Sequence, residues 1–291
     1  MENGTPLLQV EKLSVHVPEA NRIDRGRGDL LLVDDVGFDI QPGERLALVG
    51  ESGSGKSMTA KAIMQLDRNM ALSGSIRWEG RELVGAPPAT MRQLRGSAMS
   101  MIFQDPMTAL NPVLTIGEQV AEPLLVRGVP RKKAYARAAE ALQRLSVPRA
   151  QERLKAYPSE FSGGMRQRVV MAAALINEPK LLIADEPTTA LDVRVQGQVL
   201  GLIEELSEEL NLAVLFITHD LAIVAGLAHR VAVMYRGQLV EEQPVERLFD
   251  APTHPYTRGL LASIPRLDAD PSVRLRTVED FMDMQEGAHN A

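Results

Sequence analysis

A glycine-rich stretch, "GESGSGKS" at positions 50–57, constrains the fold of this chain more than any other feature. It follows an apolar run, "RLALV", that is typical of a buried strand, and it runs into "KSMTAKAIMQL", which is typical of a helix. A strand, a glycine loop and a helix with the pattern G-x-x-x-x-G-K-S/T let backbone amides wrap a phosphate group. The residues of the loop are Gly50, Glu51, Ser52, Gly53, Ser54, Gly55, Lys56 and Ser57.

Two side chains of this loop indicate which phosphate compound it holds. Lys56 is placed to reach the β- and γ-phosphates of a nucleotide, and Ser57 is placed to ligate Mg²⁺. An ordinary glycine turn is the alternative, but a chance match of this pattern is rare at ordinary glycine content, and rarer between a strand and a helix. The sequence therefore predicts a nucleoside triphosphate site.

The pattern of apolar residues predicts an α/β fold. In the second half of the chain, strand-like runs such as "LLIAD", "AVLFITHD" and "RVAVMY" alternate with amphipathic helices such as "VQGQVLGLIEELSEEL". This alternation is typical of a mostly parallel sheet with helices on both faces. The first part is richer in strands, and the region from about Met91 to Pro158 is mainly helical. One helix there places Ala134, Ala138, Leu142 and Leu145 on one face.

The composition excludes several kinds of site and partner. None of the 291 residues is cysteine, which excludes disulfides and thiolate-bound metals. The net charge of −6 argues against a nucleic-acid partner, because phosphate contacts usually need a basic surface. The N-terminus does not resemble a signal peptide, and the apolar runs are far shorter than the roughly 20 residues that cross a bilayer. We therefore expect a soluble, cytosolic chain that would depend on another subunit to span a membrane.

Two acidic residues follow the apolar strand "LLIAD". Asp185, at the tip of the strand, can hold Mg²⁺ directly or through water. Glu186 comes next and can polarise a water molecule for in-line attack on the γ-phosphate. Acidic residues after strands are common, so the combination with the phosphate loop carries the inference. Together they predict hydrolysis rather than nucleotide binding alone.

Two neutral polar residues follow other apolar strands. Because strand ends meet at the ligand crevice of an open α/β sheet, His219 in "ITHD" can donate to the γ-phosphate or to the attacking water. Gln104 in "MIFQDP" suits Mg²⁺ or water. The alternatives are a structural histidine and a glutamine that caps a turn. The predicted catalytic residues are Lys56, Gln104, Glu186 and His219, and the predicted metal ligands are Ser57, Gln104 and Asp185.

A second glycine feature stands at the start of the helix "MRQRVVMAAAL". Ser162 can cap this helix, whereas Gly163 and Gly164 leave its first amides bare and allow close approach. A helix N-terminus carries about half a positive charge and favours an anion. These residues alone do not reveal where that anion comes from.

The motifs "GESGSGKS", "IFQDP", "FSGGMRQR", "LLIADEPTTALD" and "ITHD", in this order and spacing, resemble the nucleotide-binding subunit of ABC transporters. The resemblance covers roughly residues 5–265 and implies ATP and Mg²⁺ as ligands. It implies a P-loop NTPase (RecA-like) core with an N-terminal antiparallel β-subdomain and an α-helical signature subdomain. It places the cassette at 5–250, with its β-rich part at about 5–45 and 72–85 and its helical subdomain at about 105–165.

The resemblance also implies what the glycine helix contacts. Cassettes of this family stack head to tail, so Ser162, Gly163 and Gly164 are expected to touch the γ-phosphate of ATP held by a second ATPase subunit, identical or sister. Asp192, in "TALD", matches the loop that links the two sites across that interface. Gln104 and the following "DPMTALNP" match the segment that passes ATP occupancy to the membrane subunits.

Further motifs are similar to the ATPases of oligopeptide, dipeptide and nickel importers: "QDPMTALNP", "GGMRQRV", "ADEPTTALDV" and "HPYTRGLLASIPRL". This similarity implies uptake of a peptide or similar small solute with two membrane-spanning permeases, a solute-binding protein that acts indirectly, and no nucleic acid. It implies a peripheral location on the cytoplasmic face of the cell membrane. It assigns 251–267 to a peptide-importer-type HPY segment and 268–291 to a polar tail.

The chain departs from this importer group in two places. The group usually has an aromatic residue in the early strand that stacks on adenine, and here the register favours Val17 over His16. The cysteine-rich segment after the HPY region is absent, so we expect a short family member or the equivalent of half a fused double cassette. The alternative functions are a soluble ABC ATPase acting on nucleic acid or ribosomes and an exporter cassette. The single cassette and the "HPYT" segment favour the importer.

Overall fold

The computed structural model describes residues 5–21, 28–104, 109–189 and 192–263. The chain divides into two units: unit 1 joins Met1–Gly85 to Phe216–Ala291, and unit 2 is Ala86–Leu215. The predicted tail at 268–291 and positions 264–267 of the HPY segment lie outside the described residues. The predicted bounds of the cassette, its β-rich part and its helical subdomain stay predictions.

The helices and strands follow one another in the order that the sequence pattern indicates. The described strands are β1 (Leu8–Val17), β2 (Leu30–Ile40), β3 (Arg45–Val49), β4 (Ala71–Trp78), β5 (Arg81–Glu82), β6 (Met99–Ile102), β7 (Leu181–Asp185), β8 (Ala213–Thr218), β9 (Arg230–Tyr235) and β10 (Gln238–Pro244). The described α-helices are α1 (Lys56–Ile63), α2 (Pro88–Leu94), α3 (Ile116–Leu125), α4 (Arg131–Arg144), α5 (Ala150–Arg153), α6 (Gly163–Leu175), α7 (Val193–Leu210), α8 (Leu221–Val224), α9 (Val245–Asp250) and α10 (Pro255–Ala262). The boundary between the units falls within β8.

An antiparallel sheet forms one part of unit 1. Its strands lie in the order β2, β1, β4, β5, with β1 hydrogen-bonded on both sides. Val10 of β1 pairs with Phe38 of β2 and with Ile76 of β4, and all three side chains are buried. Aromatic and β-branched residues opposite one another stabilise such a sheet through cross-strand packing.

Parallel pairing forms the other part of unit 1. β3 pairs in parallel with β9, and β10 pairs antiparallel with the other edge of β9. Every residue of β3 is buried, and after Arg45 the strand is a continuous apolar run rather than an alternating one. The glycine loop connects the end of β3 to the start of α1, which is the connection that the sequence predicts.

Unit 2 contains a parallel strand pair and most of the helices. β6 and β7 pair with Met99 opposite Leu181 and Ile102 opposite Ala184, and both strands are buried throughout. α4 buries the apolar face that the sequence predicts, which consists of Ala134, Ala138, Leu142 and, just beyond the helix, Leu145. An antiparallel sheet, parallel strand pairs and packed helices confirm the predicted α/β class.

The length and hydropathy of the helices indicate whether any of them could span a membrane. Throughout the described ranges, no helix is long and apolar enough to cross a membrane.

A cluster of charges holds the start of β9 in unit 1. Arg230 Nη1 lies 2.7 Å from Glu44 Oε1, and Arg230 Nε lies 2.8 Å from Glu242 Oε1. The third carboxylate, that of Asp39, is 3.4 Å from Arg230 Nη2. Burial raises the pKa of Glu242, and the charge of Arg230 opposes this effect. One guanidinium therefore ties β2, the start of β3, β9 and β10 together.

We expect Arg230→Met to lower the free energy of unfolding by about 2 kcal/mol, because three carboxylates then lose their shared cation in a setting where Arg230 is only 22% exposed. Arg77→Met is the matched control, since Arg77 and its partner Glu11 are 40% and 46% exposed. This control should change stability by less than about 0.5 kcal/mol. Urea denaturation measures the free energy of unfolding of both variants. An equal decrease in the two variants would contradict the proposed contribution of the Arg230 cluster to stability.

Candidate functional site

The phosphate loop of unit 1 begins at a point of close backbone contact. Gly50 has φ +151°, and a Cβ at this position would lie 2.2 Å from the carbonyl oxygen of Met234 at the end of β9. A backbone carbonyl cannot give way as a flexible side chain can, so only glycine fits here. β9 thus limits the path of the loop where it leaves β3.

Lys56 is turned into the loop that precedes it. Lys56 is only 5% exposed, and its Nζ donates to the carbonyl oxygens of Gly50 and Glu51, both at 2.7 Å. Nζ also lies 3.3 Å from Ser54 Oγ. A cation held against the concave side of a glycine loop, at the start of α1, suits an anion with several negative oxygens.

Two further contacts hold the loop in place. The amide of Gly237, in the turn after β9, donates to the carbonyl oxygen of Ser54 at 3.0 Å. The amide of Glu51 donates to the hydroxyl of Tyr256 at 2.9 Å. Tyr256 is not among the site residues predicted from the sequence, although it belongs to the quoted "HPYT" motif. The "HPYT" motif is the sequence feature that could have indicated Tyr256 as a site residue.

The other predicted residues of unit 1 lie at strand ends. His219 directly follows β8 and is exposed, and the next residue, Asp220, caps α8 by accepting from the amide of Ala222 at 2.9 Å. Val17 is the last residue of β1, is half-buried and pairs with Leu30 of β2. His219 thus lies at a strand tip and Val17 lies in the early strand, as the sequence predicts, and their roles stay predictions.

The acidic residues of unit 2 follow β7 as predicted. Asp185 ends the strand and is 3% exposed. Glu186 has φ +46°, a left-handed backbone that non-glycine residues rarely adopt. Such a conformation costs of order 1–3 kcal/mol and tends to occur at functional sites. The chain therefore changes direction at Glu186, directly after the end of β7.

The structure brings Gln104 and Glu186 together. Gln104 Nε2 donates to Glu186 Oε2 at 2.9 Å, and Thr189 Oγ1 donates to the same oxygen at 2.8 Å. Two neutral donors on one oxygen fix the direction of the carboxylate. The sequence predicts Gln104 and Glu186 as site residues but not Thr189. Thr189 lies three residues after Glu186 in "ADEPTT" and has no distinguishing motif of its own.

The glycine helix of unit 2 begins as predicted. Ser162 caps α6, with Oγ accepting from the amide of Met165 at 3.4 Å. A Cβ at Gly164 would lie 2.6 Å from Cγ1 of Val195 in α7. Asp192 caps α7 by accepting from the amide of Val195 at 3.0 Å. The first turns of α6 and α7 therefore pack against each other, which places Asp192 in the same region as the glycines.

A buried glutamine connects α6 to the acidic loop. Gln167 is fully buried, and its Nε2 donates to the carbonyl oxygen of Pro187 at 2.5 Å. Gln196 of α7 donates to Thr188 Oγ1 at 2.9 Å. Neither residue is predicted from the sequence, although an uncharged polar side chain within an apolar helix is a signal for Gln167. Positions 105–108 and 190–191 of the predicted motifs lie outside the described residues.

Comparisons with known proteins agree with these motifs. The family model described as ABC transporter matches residues 33–189, and the model described as oligopeptide/dipeptide transporter, C-terminal region, matches residues 240–287. A putative peptide import ATP-binding protein of Brucella abortus is 50% identical over 268 residues, which cover 91% of this chain and 79% of that protein. The oligopeptide transport ATP-binding protein of Haemophilus influenzae is 49% identical over 267 residues, covering 91% and 81%.

Solved structures show the same fold. A dimeric post-hydrolysis state of an ATP-binding cassette bound to ADP and Pi superposes with a TM-score of 0.71 at 25% identity, covering 82% of this chain and 98% of that chain. A dimeric bacterial ABC transporter cassette superposes equally well, at 26% identity. These likenesses confirm the predicted cassette fold. By sequence over most of its length, the chain belongs to the ABC transporter family, in the oligopeptide/dipeptide group.

Proposed function

We propose that this chain is the ATP-hydrolysing subunit of an ABC importer that takes up peptides or a similar small solute. The observation that carries the proposal is the 50% identity, over 91% of the chain, to a protein whose name describes peptide import and ATP binding. The chemistry of the two units supports it, because unit 1 contains a phosphate loop and unit 2 contains an oriented carboxylate.

Unit 1 is proposed to bind the triphosphate of ATP. The amides after Glu51 wrap the phosphates, and Lys56 moves its hydrogen bonds from the loop carbonyls to phosphate oxygens. We propose Ser57, Gln104 and Asp185 as the ligands of Mg²⁺, because they offer a hydroxyl, an amide and a carboxylate oxygen. These hard oxygen donors fit Mg²⁺, which would neutralise charge on the phosphates. Val17 is proposed to contact the adenine.

Unit 2 is proposed to supply the base for hydrolysis. Glu186 accepts a hydrogen bond from the attacking water and polarises it toward the γ-phosphorus. Gln104 and Thr189 keep the carboxylate in one orientation, so little reorganisation is needed during the reaction. His219 is proposed to donate a hydrogen bond to the γ-phosphate or to the same water.

The glycine helix is proposed to bind ATP held by a second ATPase subunit, identical or sister. Gly163 and Gly164 present bare first-turn amides, and the N-terminus of the 13-residue helix α6 favours negative charge. Ser162 adds a hydroxyl at the same end. Asp192, held at the start of α7, is proposed to link the two sites across the interface. ATP would then join the subunits, and hydrolysis would release them.

Coupling to transport is proposed to involve partner proteins. We propose that a pair of these ATPases docks under two membrane-spanning permeases at the cytoplasmic face of the cell membrane. A solute-binding protein would deliver the solute to the permeases and so act on this chain indirectly. Gln104 and the segment after it would pass ATP occupancy to the permeases.

Lys56→Ala should raise the Kd for ATP by about 10- to 100-fold, because hydrogen bonds between a cation and the phosphates are lost. Lys61→Ala is the matched control, since this lysine lies five residues later on the same helix. The control should bind like the wild type. Isothermal titration calorimetry measures both, and an unchanged Kd in Lys56→Ala would exclude the phosphate loop as the nucleotide site.

Glu186→Gln should lower ATP turnover by about 10²- to 10³-fold while leaving ATP binding intact, because one preorganised transition-state group is removed. We expect His219→Ala to lose turnover to a similar extent. With Mg-ATP, Glu186→Gln should accumulate as a dimer, alone or with its sister subunit, in multi-angle light scattering.

Glu205→Gln provides the control, because Glu205 is an exposed carboxylate on α7. It should hydrolyse ATP at the wild-type rate and form no stable dimer. A Glu186→Gln protein that stays monomeric at every concentration, with and without its partner, would contradict the proposed pairing of two cassettes through ATP.

Affinity purification of the tagged chain from gently solubilised membranes tests the transport assignment. Identification of the attached proteins should recover multi-spanning permeases and a solute-binding protein, and these should be absent from an untagged control. Recovery of soluble nucleic-acid-binding or ribosomal proteins alone would leave the ATPase chemistry intact and overturn the importer assignment.

A further inference from the structure

The C-terminal segment Thr253–Ser263 reaches the phosphate loop within unit 1. Its residue Tyr256 is fully buried, and the hydroxyl oxygen accepts a hydrogen bond from the amide of Glu51 at 2.9 Å. The two residues are 205 positions apart in the chain. The function proposed above does not use this contact, which joins a family-specific segment to the general nucleotide site.

A buried carboxylate anchors the segment to β10. Glu241 is 6% exposed, and it accepts from the amide of Thr253 at 2.7 Å, from Thr253 Oγ1 at 2.8 Å and from the amide of His254 at 2.9 Å. Burial alone would raise the pKa of Glu241, but these hydrogen bonds outweigh burial and lower it. The carboxylate therefore stays ionised, and charge-assisted hydrogen bonds hold the segment in place.

The helix that follows fixes the direction of Tyr256. His254 caps α10, with Nδ1 accepting from the amide of Tyr256 at 3.2 Å, and Pro255 occupies the first helical position, for which its ring is suited. The ring of Tyr256 packs on that of Tyr235, with centroids 4.2 Å apart. Burial raises the pKa of Tyr256 to about 12, so the hydroxyl stays neutral at the pH of any ordinary assay.

Both backbone groups of Glu51 are held in this arrangement. Tyr256 binds its amide, and the ammonium of Lys56 binds its carbonyl oxygen. A loop that is already ordered pays less conformational entropy when it wraps a ligand. The amide that Tyr256 occupies belongs to the start of the loop, which leaves the later amides for phosphate.

We propose that Tyr256 is a positioning residue for the phosphate loop, through which the segment Thr253–Ser263 sets the affinity of the site for nucleotide. This inference rests on the proposed function, because the loop must bind ATP for its order to matter. The HPY segment would then influence the affinity for nucleotide, although it contributes no group to the proposed hydrolysis reaction.

Tyr256→Phe tests the proposal, because it removes the hydroxyl and keeps the ring. Without nucleotide, hydrogen–deuterium exchange should be faster in the peptide that contains the amide of Glu51. The Kd for ATP should rise by about 3- to 10-fold, the equivalent of one hydrogen bond. Turnover at saturating ATP should stay within about twofold, because the catalytic groups are unchanged and only binding is impaired.

Tyr235→Phe is the matched control. It removes a hydroxyl from the neighbouring ring and leaves the contact between Tyr256 and Glu51 in place. Exchange at Glu51 and the Kd for ATP should both equal the wild-type values. A second variant, Glu241→Gln, weakens the anchor without altering Tyr256, and it should change exchange and affinity in the same direction as Tyr256→Phe.

Two results would overturn the inference. One is wild-type exchange at Glu51 together with a wild-type Kd in Tyr256→Phe. The other is a lower melting temperature with an unchanged Kd for the folded protein, which would make Tyr256 a packing residue only. Failure of the wild type to bind ATP would instead overturn the proposed function, and this outcome is distinguishable because the wild type is measured first.

Discussion

The close approach of Gly50 to the carbonyl of Met234 is the constraint on which the nucleotide site depends. Because no side chain fits there, β3 must leave its parallel partner β9 through a glycine, and the chain bends at that point. Lys56 then folds back over the carbonyls of Gly50 and Glu51. The position of the cation is thus a consequence of backbone packing between two buried strands, and the ion pairs of Arg230 secure the start of the same β9 strand.

In unit 2, hydrogen bonds hold the carboxylate of Glu186 in one orientation. Glu186 sits in a strained backbone conformation, and Gln104 and Thr189 both donate to one of its oxygens. The helix that begins with paired glycines is connected to the same loop, because buried Gln167 bonds the carbonyl of Pro187. The side chain of Gln167 therefore connects α6 directly to the loop that carries the acidic residues.

In this chain the C-terminal segment Thr253–Ser263 adds a contact to the phosphate loop of unit 1. The buried carboxylate of Glu241 accepts hydrogen bonds from the backbone amides at the start of the segment. The first turn of α10 then places the hydroxyl of Tyr256 where it accepts a hydrogen bond from the phosphate loop. Although burial opposes this effect, the hydrogen bonds of Glu241 lower its pKa, and the charge that they favour strengthens them in turn. The family-specific region and the nucleotide loop are consequently neighbours within one unit.

The sequence by itself determined the features that depend on residues close together in the chain. These are the strand, glycine loop and helix at 50–57, the acidic end of β7, the capped glycine helix, the apolar face of α4 and the α/β class. Local patterns suffice there because periodicity and capping act over a few residues. Only the tertiary structure decided that Tyr256 is hydrogen-bonded to Glu51 and Gln167 to Pro187. The same is true of Thr189 and Gln104, which both donate to one oxygen of Glu186. Tyrosine, glutamine and threonine are common residues, and their partners follow from how strands and helices pack rather than from any pattern in the chain.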